Sequence, residues 1–280
     1  MSRLLLANRA FMLLWAGQTV SAFGDAFFNL AIFWTVYTAT GSAFKTAFVQ
    51  LLWQLSTALF SPLAGVFADR LDRKGLLVGA NLLSALAVFG AVLRPELAAQ
   101  ALLGAVPVLN GLGAFAAAAR ASVLPELVGP GLLVRAGGLF SVGGQVAVLS
   151  GSVLAGPVLA GAGPFWALMV DAGSFLGAAL AVSLAPVPAR RLSPGPGGRK
   201  LPLVKELAAG WEALRALPAV RGLVLLGVLV NAAAFLGPLY PALVRERLGG
   251  DAAVFGLLQA AGVLGVIFGG LGAGRLLALG

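Results

Sequence analysis

Gln18, Ser21, Asp25 and Asn29 follow one another at spacings of three, four and four. That spacing puts them on one face of a helix, inside a stretch that is otherwise largely apolar. A carboxylate at the centre of a membrane helix costs roughly 3 kcal/mol, so Asp25 calls for a use. It can take a proton from one side of a membrane and release it to the other, or it can be a hydrogen-bonded structural acid. Polar stripes do not face lipid, where each unsatisfied group costs several kcal/mol. This stripe faces a polar path or another helix, and the acid on it favours the path, with Asp25 as the coupling candidate. A second stripe, Gln50, Gln54, Thr57 and Ser61, has the same helical spacing. There, hydrogen bonding between helices is an equally good reading. Asn110, Gln145 and Asn231 are single amides in apolar surroundings, and each can line a cavity or bridge two helices. Asp171 is a second acid in such surroundings, expected on a peripheral helix in a structural role.

Other chemistries find no support. The chain has neither cysteine nor histidine, which excludes disulfides, thiol chemistry, Cys or His metal sites and His-based triads. No nucleophile stands beside a base, so no enzyme is expected, and no cofactor or metal. Gly262-x-x-Gly265 and Gly269-Gly270-x-Gly272-x-Gly274 lack a Lys-Ser/Thr ending and lie in an apolar run. They read as helix-packing glycines rather than a phosphate loop.

The elements that must carry these residues are membrane helices. Of the 280 residues 60% are hydrophobic and 10% charged, against about 25% charged in soluble domains. A membrane helix needs about 20 apolar residues, and eight candidate spans reach or approach that: 11–39, 46–68, 75–93, 98–119, 133–160, 164–186, 221–243 and 252–276. Met1 to Arg9 does not read as a cleavable signal. The fold class is therefore an all-α membrane protein. Span 1 is longer than a bilayer requires, so it should tilt or bend, at Gly17 or Gly24. With the N-terminus in the cytoplasm, of 19 Lys and Arg only Lys45, Arg94, Arg245 and Arg247 face outward. The net charge of +9 is thus a topology signal and no nucleic-acid surface. The expected partners are the lipid bilayer, protons and a small-molecule substrate; the oligomeric state is open.

The stretch after span 6 begins with Arg190, Arg191 and Ser193-Pro194-Gly195-Pro196-Gly197-Gly198, which is linker composition. Residues 203–215 have helical amphipathic spacing and suit either a helix on the inner membrane surface or a solvated linker helix. An offset of 209 positions lays Gly41 on Gly250, Ala43 on Ala252, Gln50 on Gln259, Ala64 on Ala273 and Gly65 on Gly274. Span 2 thus resembles span 8, as in transporters built from parallel six-helix repeats. The expected division is a six-span bundle over 1–186, a cytoplasmic central loop over 187–220, and the first two spans of a second bundle over 221–280.

Between spans 2 and 3 lies Gly65-x-x-x-Asp69-Arg70-x-Asp72-Arg73-Lys74. Its bases hold the loop at an anionic inner membrane face. The motif resembles the loop 2–3 signature of the major facilitator superfamily. Ser152-x-x-x-Gly156-Pro157-x-x-Ala160-Gly161 resembles the glycine–proline motif of that superfamily's antiporters. Such a motif would bend span 5 and admit a neighbouring helix. Asn110-Gly111-Leu112-Gly113 fits the antiporters' step in span 4, with Pro107 in place of its arginine. Four further stretches resemble the bacterial exporter branch that includes macrolide-efflux and siderophore-export proteins. They are Phe11-x-x-Leu14-Trp15-x-Gly17-Gln18, Thr40-Gly41-Ser42, the run from Arg120 to Val128, and Asp171-Ala172-Gly173-Ser174-Phe175. The resemblance implies a multi-pass protein of the bacterial cytoplasmic membrane that exports drug-, macrolide- or siderophore-type molecules by proton antiport. Asp25 would couple, and Gln18, Ser21, Asn29, Asn110, Gln145 and Asn231 would line the path. Asp69 and Arg73 would help latch an inner gate formed by the 65–74 loop. Family members have twelve spans and this chain shows eight, without a second loop motif after Gly274. The alternative is accordingly a truncated, transport-inactive remnant.

Overall fold

The computed structural model describes residues 5, 7–93, 98–187, 215, 220–222, 225–227 and 234–277. They fall into two compact units, Met1–Ala189 with Pro238–Gly280, and Arg190–Gly237. The first unit joins the last long helix to the first six. In the second, Arg215, residues 220–222 and residues 225–227 are helical; the rest of the expected amphipathic stretch, and Asn231, lie outside the described residues.

Among the described residues, seven helices are long and apolar enough to cross a membrane, and no strand occurs. They are α1 (Arg9–Thr40), α2 (Ala43–Arg70), α3 (Arg73–Val92), α4 (Ala98–Val128), α5 (Leu133–Ala162), α6 (Pro164–Leu184) and α7 (Ala252–Leu277). They correspond to expected spans 1 to 6 and 8. Span 7 is described in part, with residues 223, 224 and 228–233 outside the described residues. Its end runs through a 3-10 stretch, Ala234–Leu239, an α turn, Tyr240–Ala242, and a π-helical stretch, Leu243–Arg247.

Local chemistry sets the helix ends. Asn8 caps α1 by accepting from Phe11 N at 3.1 Å, and its own amide donates to Leu127 O at 2.9 Å. One side chain thus starts α1 and ties it to the end of α4. Gly41 takes the left-handed conformation (φ 61°) that ends α1, which glycine adopts without a steric penalty. Ser42 then caps α2, so Thr40-Gly41-Ser42 is a helix–turn–helix corner. Asp72 caps α3 by accepting from Gly75 N at 2.6 Å.

Helix α1 is the centre of the bundle. It packs along α5 and α6 and touches α4 and α2; α3 packs on α4 and α6, α2 on α4, and α7 on α5. Phe27, Phe28, Leu30, Ile32, Phe33 and Val36 of α1 are buried with Val88, Val106, Leu159, Leu168 and Phe255. Trp34 stacks on Phe255 with ring centroids 6.1 Å apart. The outer faces are apolar. Leu59 is 62% exposed, Leu86 65% and Leu180 60%, on helices whose buried faces are already satisfied. Apolar surface on this scale needs lipid rather than water.

Gly17 and Gly24, the expected places for a bend in α1, also have a packing role. The helix is continuous, and Gly17 and Gly24 are where α6 comes close. A Cβ on Gly17 would lie 3.3 Å from Ala178 O, and one on Gly24 would lie 2.5 Å from Ser174 Cβ.

Candidate functional site

A cavity of about 610 Å³ opens among α1, α2, α3, α4 and α6. From α1 it receives Gln18, Ser21, Asp25 and Asn29, so the whole first stripe lines one wall. From α2 come Trp53, Thr57 and Ser61. The lower half of the second stripe thus faces the path, while Gln50 and Gln54 are not part of the lining. Asn81 and Ser84 enter from α3, Asn110 and Arg120 from α4, and Asp171 and Phe175 from α6.

Gln145 is not among the lining residues. The face of α5 that meets α1 carries Gly143, Ala147 and Gly151, and position 145 points away from it by helical geometry. The amides of Asn29 and Asn110 donate within their own helices, to Asp25 O at 3.0 Å and Val106 O at 2.8 Å. Their carbonyl oxygens remain for the cavity.

The structure corrects the reading of Asp171. Its helix is not peripheral, because α6 lies along both α1 and α3. The side chain is fully buried, and neither carboxylate oxygen has a hydrogen-bond partner among the described residues. It lines the same cavity as Asp25 and lies within its electrostatic reach. Gly24 makes room for it, since a Cβ there would sit 2.9 Å from Asp171 Oδ1. Two acids on different helices therefore share one enclosure, where charges interact more strongly than in water.

Arg120 stands one residue past the expected end of span 4, among the inward-facing bases. Instead α4 runs on to Val128 through Pro125, which carries Arg120 about two turns inside the helix. Its Nη1 donates to Gln18 Oε1, and its guanidinium carbon lies 5.8 Å from the centre of the Phe140 ring. The available signal was the pairing of Gln18 on the stripe with an arginine in an alanine-rich apolar run.

The 65–74 loop is anchored at three points. Arg73, almost buried, donates to Ser122 O at 2.9 Å and forms an ion pair with Glu126 at 2.7 Å. Lys74 donates to Ala185 O at 2.8 Å, and Asp72 caps α3. Arg70 is exposed, and Gly65 has nothing within 4 Å of a Cβ position. The loop's arginine thus holds to α4 of its own bundle, at the two residues that stand out in the 120–128 stretch.

Helix α5 runs unbroken through Pro157. Gly156 acts by close approach: a Cβ on it would lie 2.8 Å from Ala252 O, and one on Gly256 would lie 2.6 Å from Ser152 O. The pair lets α5 and α7 touch backbone to backbone. Gly161 has open space around it.

Set beside known proteins, the chain matches the sequence model described as Major Facilitator Superfamily over residues 14–279. It is similar to curated relatives named "Enterobactin exporter EntS" from Shigella boydii serotype 18, Shigella dysenteriae serotype 1 and Escherichia coli O157:H7. Each is 34% identical over 218 residues, which cover 76% of this chain and 50% of the relative. The chain spans about half the length of the curated relatives it matches.

Proposed function

The chain belongs to the major facilitator superfamily, and we propose that it exports small amphipathic molecules of the siderophore or drug type in exchange for protons. Membership supports a multi-pass membrane protein of transporter type. The observation that carries the proposal is the cavity, bounded by five helices, in which Gln18, Ser21, Asp25, Asn29 and Asn110 come together among apolar side chains. Its volume suits a small organic molecule.

In this reading the bundle rocks to expose the cavity to one side at a time. Asp25 takes up and releases the coupled proton, and Gln18, Ser21, Asn29 and Asn110 meet the cargo. The N-terminus lies in the cytoplasm of a bacterial cell, on the basic side of the chain. Arg73, held by Glu126, and Lys74 keep the 65–74 loop in place at the inner face, where it serves the gate. Asp69 would contribute there as the superfamily signature implies.

The test is flux. The 280-residue chain is placed in proteoliposomes with an imposed pH gradient, and enterobactin, the cargo in the relatives' name, is the first candidate. The expected result is gradient-driven movement that Asp25→Asn abolishes while cargo binding stays within about twofold. Wild-type flux from Asp25→Asn refutes the coupling role. Binding without any flux from the native chain favours the transport-inactive remnant.

A further inference from the structure

We infer that the cavity recognises a planar oxyanion on its cargo, and that Arg120, with Gln18 beside it, is the group that does so. This rests on the transporter reading above and adds the charge class of the ligand.

Three observations carry it. Arg120 lines the cavity and is half-buried, so its charge is partly removed from water. Among the described residues no carboxylate lies within 4.0 Å of it; the ion pair formed there is Arg73–Glu126. Its described partners are neutral, the amide oxygen of Gln18 and the face of Phe140. A guanidinium has five N–H donors in a fixed fork, and one of them goes to Gln18. Removing a cation from water without a counter-charge is unfavourable, and an arriving anion would offset that cost.

The cavity's other charges make the site directional. Gln18 lies seven residues before Asp25 on α1, about 10 Å along the axis at 1.5 Å per residue. The guanidinium and the two acids therefore stand at different levels of one enclosure, and an anion meets Arg120 without meeting Asp25 or Asp171 at contact distance. Trp53 and Phe175 offer apolar surface for the body of the same ligand. Arginine's fork matches a carboxylate with two parallel hydrogen bonds, where lysine offers a point charge.

The probes are 2-naphthoate and its neutral amide, 2-naphthamide, titrated calorimetrically against the full 280-residue chain in detergent. Naphthoate should bind about tenfold or more tightly than naphthamide, the ratio expected of one hydrogen bond to a charged group. Arg120→Gln should remove that preference by lowering naphthoate affinity to that of naphthamide, and naphthamide binding that persists in the variant shows that the cavity has formed. Arg120→Lys should keep part of it. Absence of discrimination by the native chain, or its survival in Arg120→Gln, overturns the proposal. If Arg120→Gln fails to insert, a diazirine-bearing naphthoate on the native chain decides. Labelling of the α4 peptide around Arg120 supports the site, and labelling elsewhere overturns it. No pH gradient is involved, so failure of flux and failure of anion recognition are separate results.

Discussion

Gly24→Ala adds a single methyl group at the closest point between α1 and α6, one residue before Asp25. The new Cβ would lie 2.5 Å from Ser174 Cβ, whereas carbon atoms rest at about 3.5–4.0 Å. A gap of about 1 Å must open. Rotating Ser174 cannot supply it, because Cβ does not move with χ1. Ser174 is 6% exposed and α6 is held along its length by α1 and α3, so the helices cannot part locally at little cost. Overpacking of this kind costs about 1–3 kcal/mol, and the upper half of that range is expected here. Helix propensity acts the other way, favouring Ala over Gly by about 1 kcal/mol. The comparison is therefore with Gly161→Ala, where a Cβ meets nothing within 4 Å and the change should be neutral or stabilising.

The assay is equilibrium unfolding of the purified chain in mixed micelles, for both variants and for Gly24→Ala combined with Ser174→Gly. The double variant removes the two closest clashing atoms and leaves the mobile Asp171 Oδ1 at 2.9 Å as the nearest contact. It should recover more than about 1 kcal/mol relative to additivity. Gly24→Ala unfolding like Gly161→Ala, or no recovery in the double variant, would show that the two helices do not meet as described.

Glu126→Gln keeps a neutral acceptor for Arg73 and should cost about 1 kcal/mol. Glu126→Ala should cost about 2, since a hydrogen bond to a charged group contributes 1.5–3 kcal/mol and the glutamate is 43% exposed, which screens it. Equal stability of all three proteins in the same unfolding assay would show that the ion pair does not anchor the loop. Gly256→Ala drives a methyl group to 2.6 Å from Ser152 O and 3.0 Å from Gly156 Cα. Backbone cannot step aside, so a loss of about 2–3 kcal/mol is expected; a neutral result would place α7 off the Gly156 face of α5.

Much of the bundle was legible because its signals are local. Apolar runs of sufficient length mark the helices, and apart from the end of α4 the expected bounds of the seven helices lie within about three residues of those observed. The stripe Gln18, Ser21, Asp25, Asn29 was legible for the same reason, since helical spacing alone fixes a shared face. Which neighbour that face meets is not a local property. Thr57 and Ser61 enter the cavity while Gln50 and Gln54 do not, although all four share one stripe and Trp53, the neighbour of Gln54, does line it. Gln145 and Asn110 look alike in sequence, and only the rotation of each helix against α1 separates them.

Asp171 and Arg120 show what sequence reading lacks in a membrane bundle. An acid in an apolar run is noticed, but its use depends on whether its helix is central. That is a matter of packing order, set here by Gly17 and Gly24 admitting α6 to the side of α1. Arg120 was misplaced by a different route. Basic residues near the end of an apolar run are counted toward topology, and the Pro125-Glu126 step suggests that the helix has already stopped. In the structure α4 continues because its last turns have partners: Asn8 donates to Leu127 O, and Arg73 bonds Ser122 O and Glu126. These contacts come from residues 49 to 119 positions away, so no window along α4 contains them. The extra turns place Arg120 inside the cavity, and with it the cation on which the proposed anion preference rests.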